Sequence, residues 1–269
     1  MTPVHFSQLL VMFLLPLAAV IIPILMGQWL GLNHRKKDLE IENIPIQTVV
    51  SAAFALLAFM VAFTFQIAAT RYDARKSMLM KEVKDIRTGY LRSGLIPEPY
   101  RSLTRKHLVK YVDIRVELLN DLSRLNQALG SSQTILDTLW SYAEVLAAKD
   151  RSSEVFALYT TTINDIIDSY DARVTLAIVY RIPRAILWVL FIIGFLSMFV
   201  IGYQFGVSGK GSFSMNLLLG VTFAVVMFLI YALDRPETGL VPVNQVPLMN
   251  LHKQLHERQA NVGRSVPGN

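Results

Sequence analysis

The chain contains no cysteine in 269 residues. Disulfides, thiolate nucleophiles and cysteine metal sites are therefore excluded. Residues 1–33 contain no Lys, Arg, Asp or Glu. A cleaved leader needs a basic stretch ahead of a short apolar core, so this long uncharged run reads instead as a membrane helix. The other long apolar runs also lack Asp, Glu, Lys, Arg and His. Pumps and transporters that relay protons generally need such a group near the midplane, so their absence speaks against that class. A channel with an apolar constriction fits better. No phosphate loop, His-Glu-x-x-His or nucleophile elbow occurs, and no acidic loop resembles a calcium site. Pairs such as Asp165 and Asp168 suit a solvated helix face. An enzyme is not expected, nor is a cofactor. Without a basic stripe interleaved with aromatics, nucleic acid is not an expected partner either.

What is present is apolar surface. The chain is 53% hydrophobic, with a formal net charge of +6 and a mean hydropathy of +0.41. That composition belongs to a membrane protein. The basic excess suits contact with anionic lipid headgroups on the cytoplasmic side.

The longest organising stretch is Ile46–Lys76. Its first 25 residues, Ile46–Thr70, carry no charge, and no Pro or Gly interrupts the whole stretch. At about 1.5 Å per residue such a helix crosses a hydrocarbon core of roughly 30 Å. It should then emerge intact through Arg71-Tyr72-Asp73-Ala74-Arg75-Lys76 into water. Thr48, Ser51, Ala55, Ala58, Ala62 and Ala69 form a stripe of small residues that lets another backbone approach. Phe59 and Phe63 lie one turn apart beside it. Thr64 and Gln66 are polar groups at membrane depth that need a partner. The phenylalanines suit either a packed core or a hydrophobic constriction among several copies of the helix.

The rest of the chain falls into place around this stretch. Leu9–Leu32 is a first span, expected to kink near Pro16 or Pro23, with Trp29 as an interfacial anchor. Ala185–Val207 and Phe213–Leu233 are a third and a fourth span. Residues 71–182 lack a membrane-length run and read as a helical bundle. Gly94, Pro97 and Pro99 should end the long helix near Ser93. A second helix of the bundle is expected over 100–128, closed by Gly130-Ser131-Ser132. A third follows over 133–148 and, after Asp150-Arg151-Ser152-Ser153, a fourth over 154–180. The tail holds one helix, about 248–259, with Pro247 at its first position. His252 and His256 share a face of it; with no further ligand apparent, they read as an exposed polar helix rather than a metal site. The expected fold is an all-α membrane protein with four transmembrane helices and a cytosolic bundle between the second and third. The division is 1–70, 71–182, 183–234 and a tail, 235–269. Lys and Arg bias places the large domain and both termini in the cytoplasm, although Arg35, Lys36, Lys37 and Lys210 lie on the other side.

Several segments resemble a family. Leu56-Leu57-Ala58-Phe59, Ala62-Phe63-Thr64-Phe65 and Ala69–Lys76 resemble the bacterial membrane family of unknown function described as bestrophin-like. So do Glu82, Tyr90-Leu91-Arg92, Leu95-Ile96-Pro97, Tyr111–Arg115, Leu233-Asp234-Arg235-Pro236 and Gln245-Val246-Pro247-Leu248. The chain departs from that pattern at Lys84, Asp85 and Arg87. Phe59 and Phe63 fall where bestrophins proper carry neck phenylalanines, and Ala55 where they carry a larger aliphatic residue. Bestrophins are pentameric anion channels, so the resemblance implies a homo-oligomer, a pentamer, in a bacterial inner membrane that passes chloride-like anions. Phe59, Phe63, Ala55, Ala62 and Gln66 would line the pore and neck, and Arg71, Arg75 and Lys76 would attract anions below it. Membrane lipids and inorganic anions are the expected partners. The competing reading is a non-conducting membrane scaffold or signalling protein whose helical domain binds a partner.

Overall fold

A computed structural model describes residues 6–36, 46–178, 180–209, 213–235 and 240–264. Among them there is no strand, and they form a succession of eight α-helices. They are α1 (Phe6–Lys36), α2 (Ile46–Arg92), α3 (Tyr100–Asn120) and α4 (Leu125–Lys149). Next come α5 (Glu154–Ile178), α6 (Arg184–Ser208), α7 (Phe213–Asp234) and α8 (Val246–Arg264). Four helices, α1, α2, α6 and α7, are long and apolar enough to cross a membrane. The expected tail helix over 248–259 lies within α8. Lys37 and Lys210, two of the basic residues expected on the side opposite the large domain, lie outside the described residues.

The chain forms two compact units: 3–72 with 181–241, and 73–180 with 242–269. Helix α2 contributes its apolar part to the first and its polar part to the second.

In the membrane unit, polar bonds tie the spans together. Ser197 Oγ donates to the Ala53 carbonyl at 3.1 Å, Asn216 to Gln28 at 3.3 Å, and Gln204 to Gln47. His34 meets the Tyr203 hydroxyl at 2.9 Å. Below them the Asp234 carboxylate accepts the Ile182 N–H at 3.0 Å. Each bond gives a polar side chain of the membrane unit a partner from another segment of the chain. The tightest approach is between α1 and α6. Gly27 and Gly31 on α1 face Gly202 and Gly206 on α6, a Gly-x-x-x-Gly pair on each helix. A Cβ on Gly27 would overlap the Phe199 carbonyl, and one on Gly206 the Gln28 carbonyl. Small residues at this spacing let backbones touch, and dispersion contacts replace the hydrophobic drive that lipid cannot supply. Neither Gly-x-x-x-Gly pair was among the sequence expectations, which placed close packing on the small-residue stripe of α2. Both Pro16 and Pro23 lie inside α1, which continues as helix through them.

In the second unit, α2, α3, α4, α5 and α8 share one core. Leu79, Ile86, Tyr111, Leu136, Leu139, Ile163, Ile166, Leu251 and Leu255 are all nearly or fully buried in it. The break between α3 and α4 differs from expectation. It falls at Asp121, not at Gly130, which lies inside α4 with open space where a Cβ would project. The Asp121 carboxylate accepts the Ser123 N–H at 3.0 Å and its hydroxyl at 2.6 Å. Asp150 does the same to Ser152, at 3.0 and 2.7 Å, between α4 and α5. An Asp-x-Ser turn offers the backbone a local bond that competes with helix continuation, and here it outweighs a glycine-serine cluster.

Glu82 lies at the centre of this unit with no exposed surface. It accepts the Tyr111 hydroxyl at 2.6 Å, pairs with Arg173, and has the Arg115 guanidinium at 3.5 Å. Burial alone would raise its pKa. The Arg173 and Arg115 charges and the Tyr111 hydrogen bond outweigh that and hold it below the usual carboxylate range. Burial pushes the Tyr111 hydroxyl well up, and the neighbouring Glu82 charge adds to it.

Two outcomes follow for detergent-purified protein. Gly206→Val should cost about 3 kcal/mol or more by overpacking, read as a lower melting midpoint, whereas Gly130→Ala should be neutral or slightly stabilising. Glu82→Gln leaves two guanidinium groups short of a partner and should cost about 3 kcal/mol. Because the Glu82 carboxyl titrates below its unfolded value, this stabilisation is complete above about pH 4.3 and is lost as pH falls through the folded value. Chemical denaturation across that range should show the wild-type advantage over Glu82→Gln shrinking on the acid side.

Candidate functional site: the exposed face of the second helix

Helix α2 buries one face of its apolar part. Val50, Leu57, Thr64 and Ala68 are buried, with Phe54 and Val61 half-buried between them. These positions recur every three or four residues, as one side of a helix requires. Thr64 satisfies its hydroxyl by donating to the Met60 carbonyl at 2.7 Å, so a polar residue at membrane depth is accommodated within the helix.

The opposite face is uncovered. Ala55, Phe59, Ala62, Phe63 and Gln66 are all exposed in the single chain. At 3.6 residues per turn they fall within an arc of roughly 100°, about half a turn from the buried stripe. Phe59 is 65% exposed and Phe63 49%, which settles that they are not core aromatics of their own chain. Their rings lie stacked, centroids 6.4 Å apart and planes within 11°. Gln66 donates to the Thr70 hydroxyl at 3.2 Å, one turn on. Thr48, Ser51 and Ala58 are exposed on the same side. The face is therefore small, weakly polar and uncharged through the apolar run, with one pair of rings projecting from it.

The basic residues after the run behave differently. Arg75 is buried and Arg71 half-buried, and both lie about half a turn from the Ala55–Gln66 face. Only Lys76 of the three is exposed. Helical phase thus sets Arg71 and Arg75 apart from the face of Phe59 and Phe63. The exposed charge in phase with Gln66 is Asp73, seven residues on and so nearly two turns along. Sequence reading grouped all three cations because they are adjacent; helical phase separates them.

Four membrane-crossing helices, with a helical unit inserted after the second and completed by the C-terminal helix, define the class as an all-helical multi-span membrane protein. The Bestrophin-like family model matches residues 13–248, and the chain belongs to that family. Solved structures share the fold. One variant of a bacterial bestrophin homologue from Klebsiella pneumoniae is 16% identical, with a TM-score of 0.64, over 93% of this chain and 98% of that one. Another is 15% identical with a TM-score of 0.63, over 94% and 99%. A third structure, described as a membrane protein, is 16% identical with a TM-score of 0.61, over 97% and 100%. No curated protein matches the chain.

The absence of native cysteine makes the face directly testable. Ala55→Cys, Ala62→Cys and Gln66→Cys should react with a charged, water-soluble thiol reagent in reconstituted protein if this face meets water. Ala68→Cys, at a fully buried position, should not react. Protection of all four would mean that the face meets lipid or protein.

Proposed function

We propose that the protein is an oligomeric ion channel of the bacterial inner membrane, with α2 from each copy lining the pore. The observation that carries this reading is the exposed face of α2. It turns Phe59 and Phe63 away from the chain's own core, at a depth where a soluble-type explanation for exposed aromatics fails. A ring of such helices closes around an axis, and the family resemblance supports five copies. Phe59 and Phe63 then form the neck, with Ala55 and Ala62 giving it width and Gln66 supplying a weak dipole at its lower edge. Both termini and the 73–180 unit lie in the cytoplasm in this reading, in line with the bias of Lys and Arg.

Anions are the ions that the resemblance favours. Aromatic ring edges are positive and suit them, and Lys76 is the exposed cation below the apolar run. A second reading, cation passage, is favoured by a specific observation. Arg71 and Arg75 turn off the lining face while Asp73 lies on it, and a ring of carboxylates favours cations.

A planar-bilayer recording under a KCl gradient separates the readings. Reversal near the chloride equilibrium potential, with larger unitary current in Phe59→Ala/Phe63→Ala, is the outcome for an anion pore with this neck. Reversal near the potassium potential that moves toward zero in Asp73→Asn supports the cation reading. Silence from folded protein would discard the channel and favour a membrane scaffold that binds a partner through its helical unit.

A further inference from the structure

Histidines at positions i and i+4 of a helix point the same way, and two such ligands need a third group to make a metal site. The fold supplies it from a different element. Asp113 of α3 places Oδ1 2.8 Å from His256 Nε2 and 3.0 Å from His252 Nε2. The two imidazole rings lie with centroids 4.5 Å apart and planes inclined by 57°, so they converge on the carboxylate instead of stacking. One ligand atom from each residue falls within 4.8 Å of the other two.

The register behind this cluster is regular. Asp113 follows Val112, His252 follows Leu251 and His256 follows Leu255, and those three apolar residues are at most 2% exposed in the core that α3 and α8 share. Each ligand is thus the next residue round the helix from a fixed core contact, at the rim of a packed seam. The ligand side chains are 34%, 36% and 47% exposed, so solvent reaches the cluster from one side. Three preorganised ligands with an open side are the arrangement of a four-coordinate ion that completes its shell with water.

We propose that Asp113, His252 and His256 bind a transition-metal dication of the Zn²⁺ class, which staples α8 to α3. The donor set of two imidazoles and one carboxylate suits such an ion. Ca²⁺ requires six to eight oxygens and Mg²⁺ a near-ideal octahedron of them, so neither fits. A tetrahedral ion with bonds of about 2.0–2.1 Å has ligand–ligand edges of roughly 3.3 Å. The oxygen–nitrogen separations therefore open by about half an ångström on loading, within reach of small rotations of exposed side chains. The site does not depend on whether α2 lines a pore. In the ion-free protein the Asp113 carboxylate is hydrogen-bonded to His256 and lies beside His252; the metal replaces these contacts by coordination.

Zinc uptake by the full chain in detergent tests this, measured by calorimetry beside Co²⁺ absorption. The expected result is one Zn²⁺ per chain, visible Co²⁺ bands of a tetrahedral site, and a higher melting midpoint with Zn²⁺ but not with Ca²⁺ or Mg²⁺. Losing an outer-shell partner of a bound metal costs about 10–100-fold in affinity. Losing a ligand, in Asp113→Asn or His256→Gln, should therefore cost about 100-fold and remove both the Co²⁺ bands and the zinc-dependent melting shift. His107→Gln, which alters a histidine elsewhere on α3, should change none of these. Absence of saturable zinc uptake by wild-type protein would overturn the proposal, as would uptake unaltered in folded Asp113→Asn. Because the wild-type Co²⁺ spectrum decides by itself, a variant that folds poorly does not leave the question open.

Discussion

A carboxylate without solvent access can stay charged only if the protein supplies its counter-charges, and Glu82 imposes that condition on three helices at once. Tyr111 and Arg115 come from α3, Arg173 from α5, and Glu82 itself from α2. Holding it fixes the rotation of all three helices about their axes, because a turn of one residue would withdraw a partner and leave a buried charge short of solvation. The apolar residues of the same unit, such as Leu79, Ile86, Ile163 and Ile166, tolerate sliding far better than the ion cluster does. On the same helix Val112 enters the shared core, and Asp113, about half a turn from Tyr111 and Arg115, meets α8.

The membrane unit uses a different constraint to reach the same definition. In lipid there is no gain from hiding one apolar side chain behind another, so helices must fit by shape and by polar contacts. Glycines at matched spacing on α1 and α6 supply the shape, while Ser197, Gln204 and Asn216 supply polar bonds between spans. With α2 held by its buried stripe against its neighbours, its other face is left without an intramolecular partner. It is rich in alanine, serine and threonine, which pack backbones closely, and it carries two large rings in one place.

How far the sequence alone reached depends on whether a property is carried locally. Uncharged runs of membrane length announced all four spans, because hydropathy over some 20 residues is a local sum. Proline and glycine announced the end of α2 at Arg92. The Asp121 turn escaped notice because Gly130 is the stronger punctuator in a propensity reading, while the structure obeys a side-chain hydrogen bond that spans only two residues. The stripe on α2 was legible from periodicity, but which way it faced was not, since periodicity gives the phase of a helix and not the place of its neighbours. The cations showed the same limit. Arg71, Arg75 and Lys76 are neighbours in the chain, but 100° steps put two of them on one side and one on another.

The histidine pair shows what a third coordinate adds. In the chain, His252 and His256 are a helix-compatible spacing in a polar tail, and most such pairs are simply solvated. Asp113 lies more than a hundred residues away, and no local signal links it to them. The link runs through hydrophobic register. Leu251 and Leu255 of α8 are buried in one core with Val112 of α3, and the residue that follows each of these three is carried to a common point. Polar convergence at the rim of an apolar seam is therefore a product of packing, fixed to within the play of two well-packed helices. That is why three side chains with no sequence relation can meet at hydrogen-bond distance while each remains open to water on its outer side.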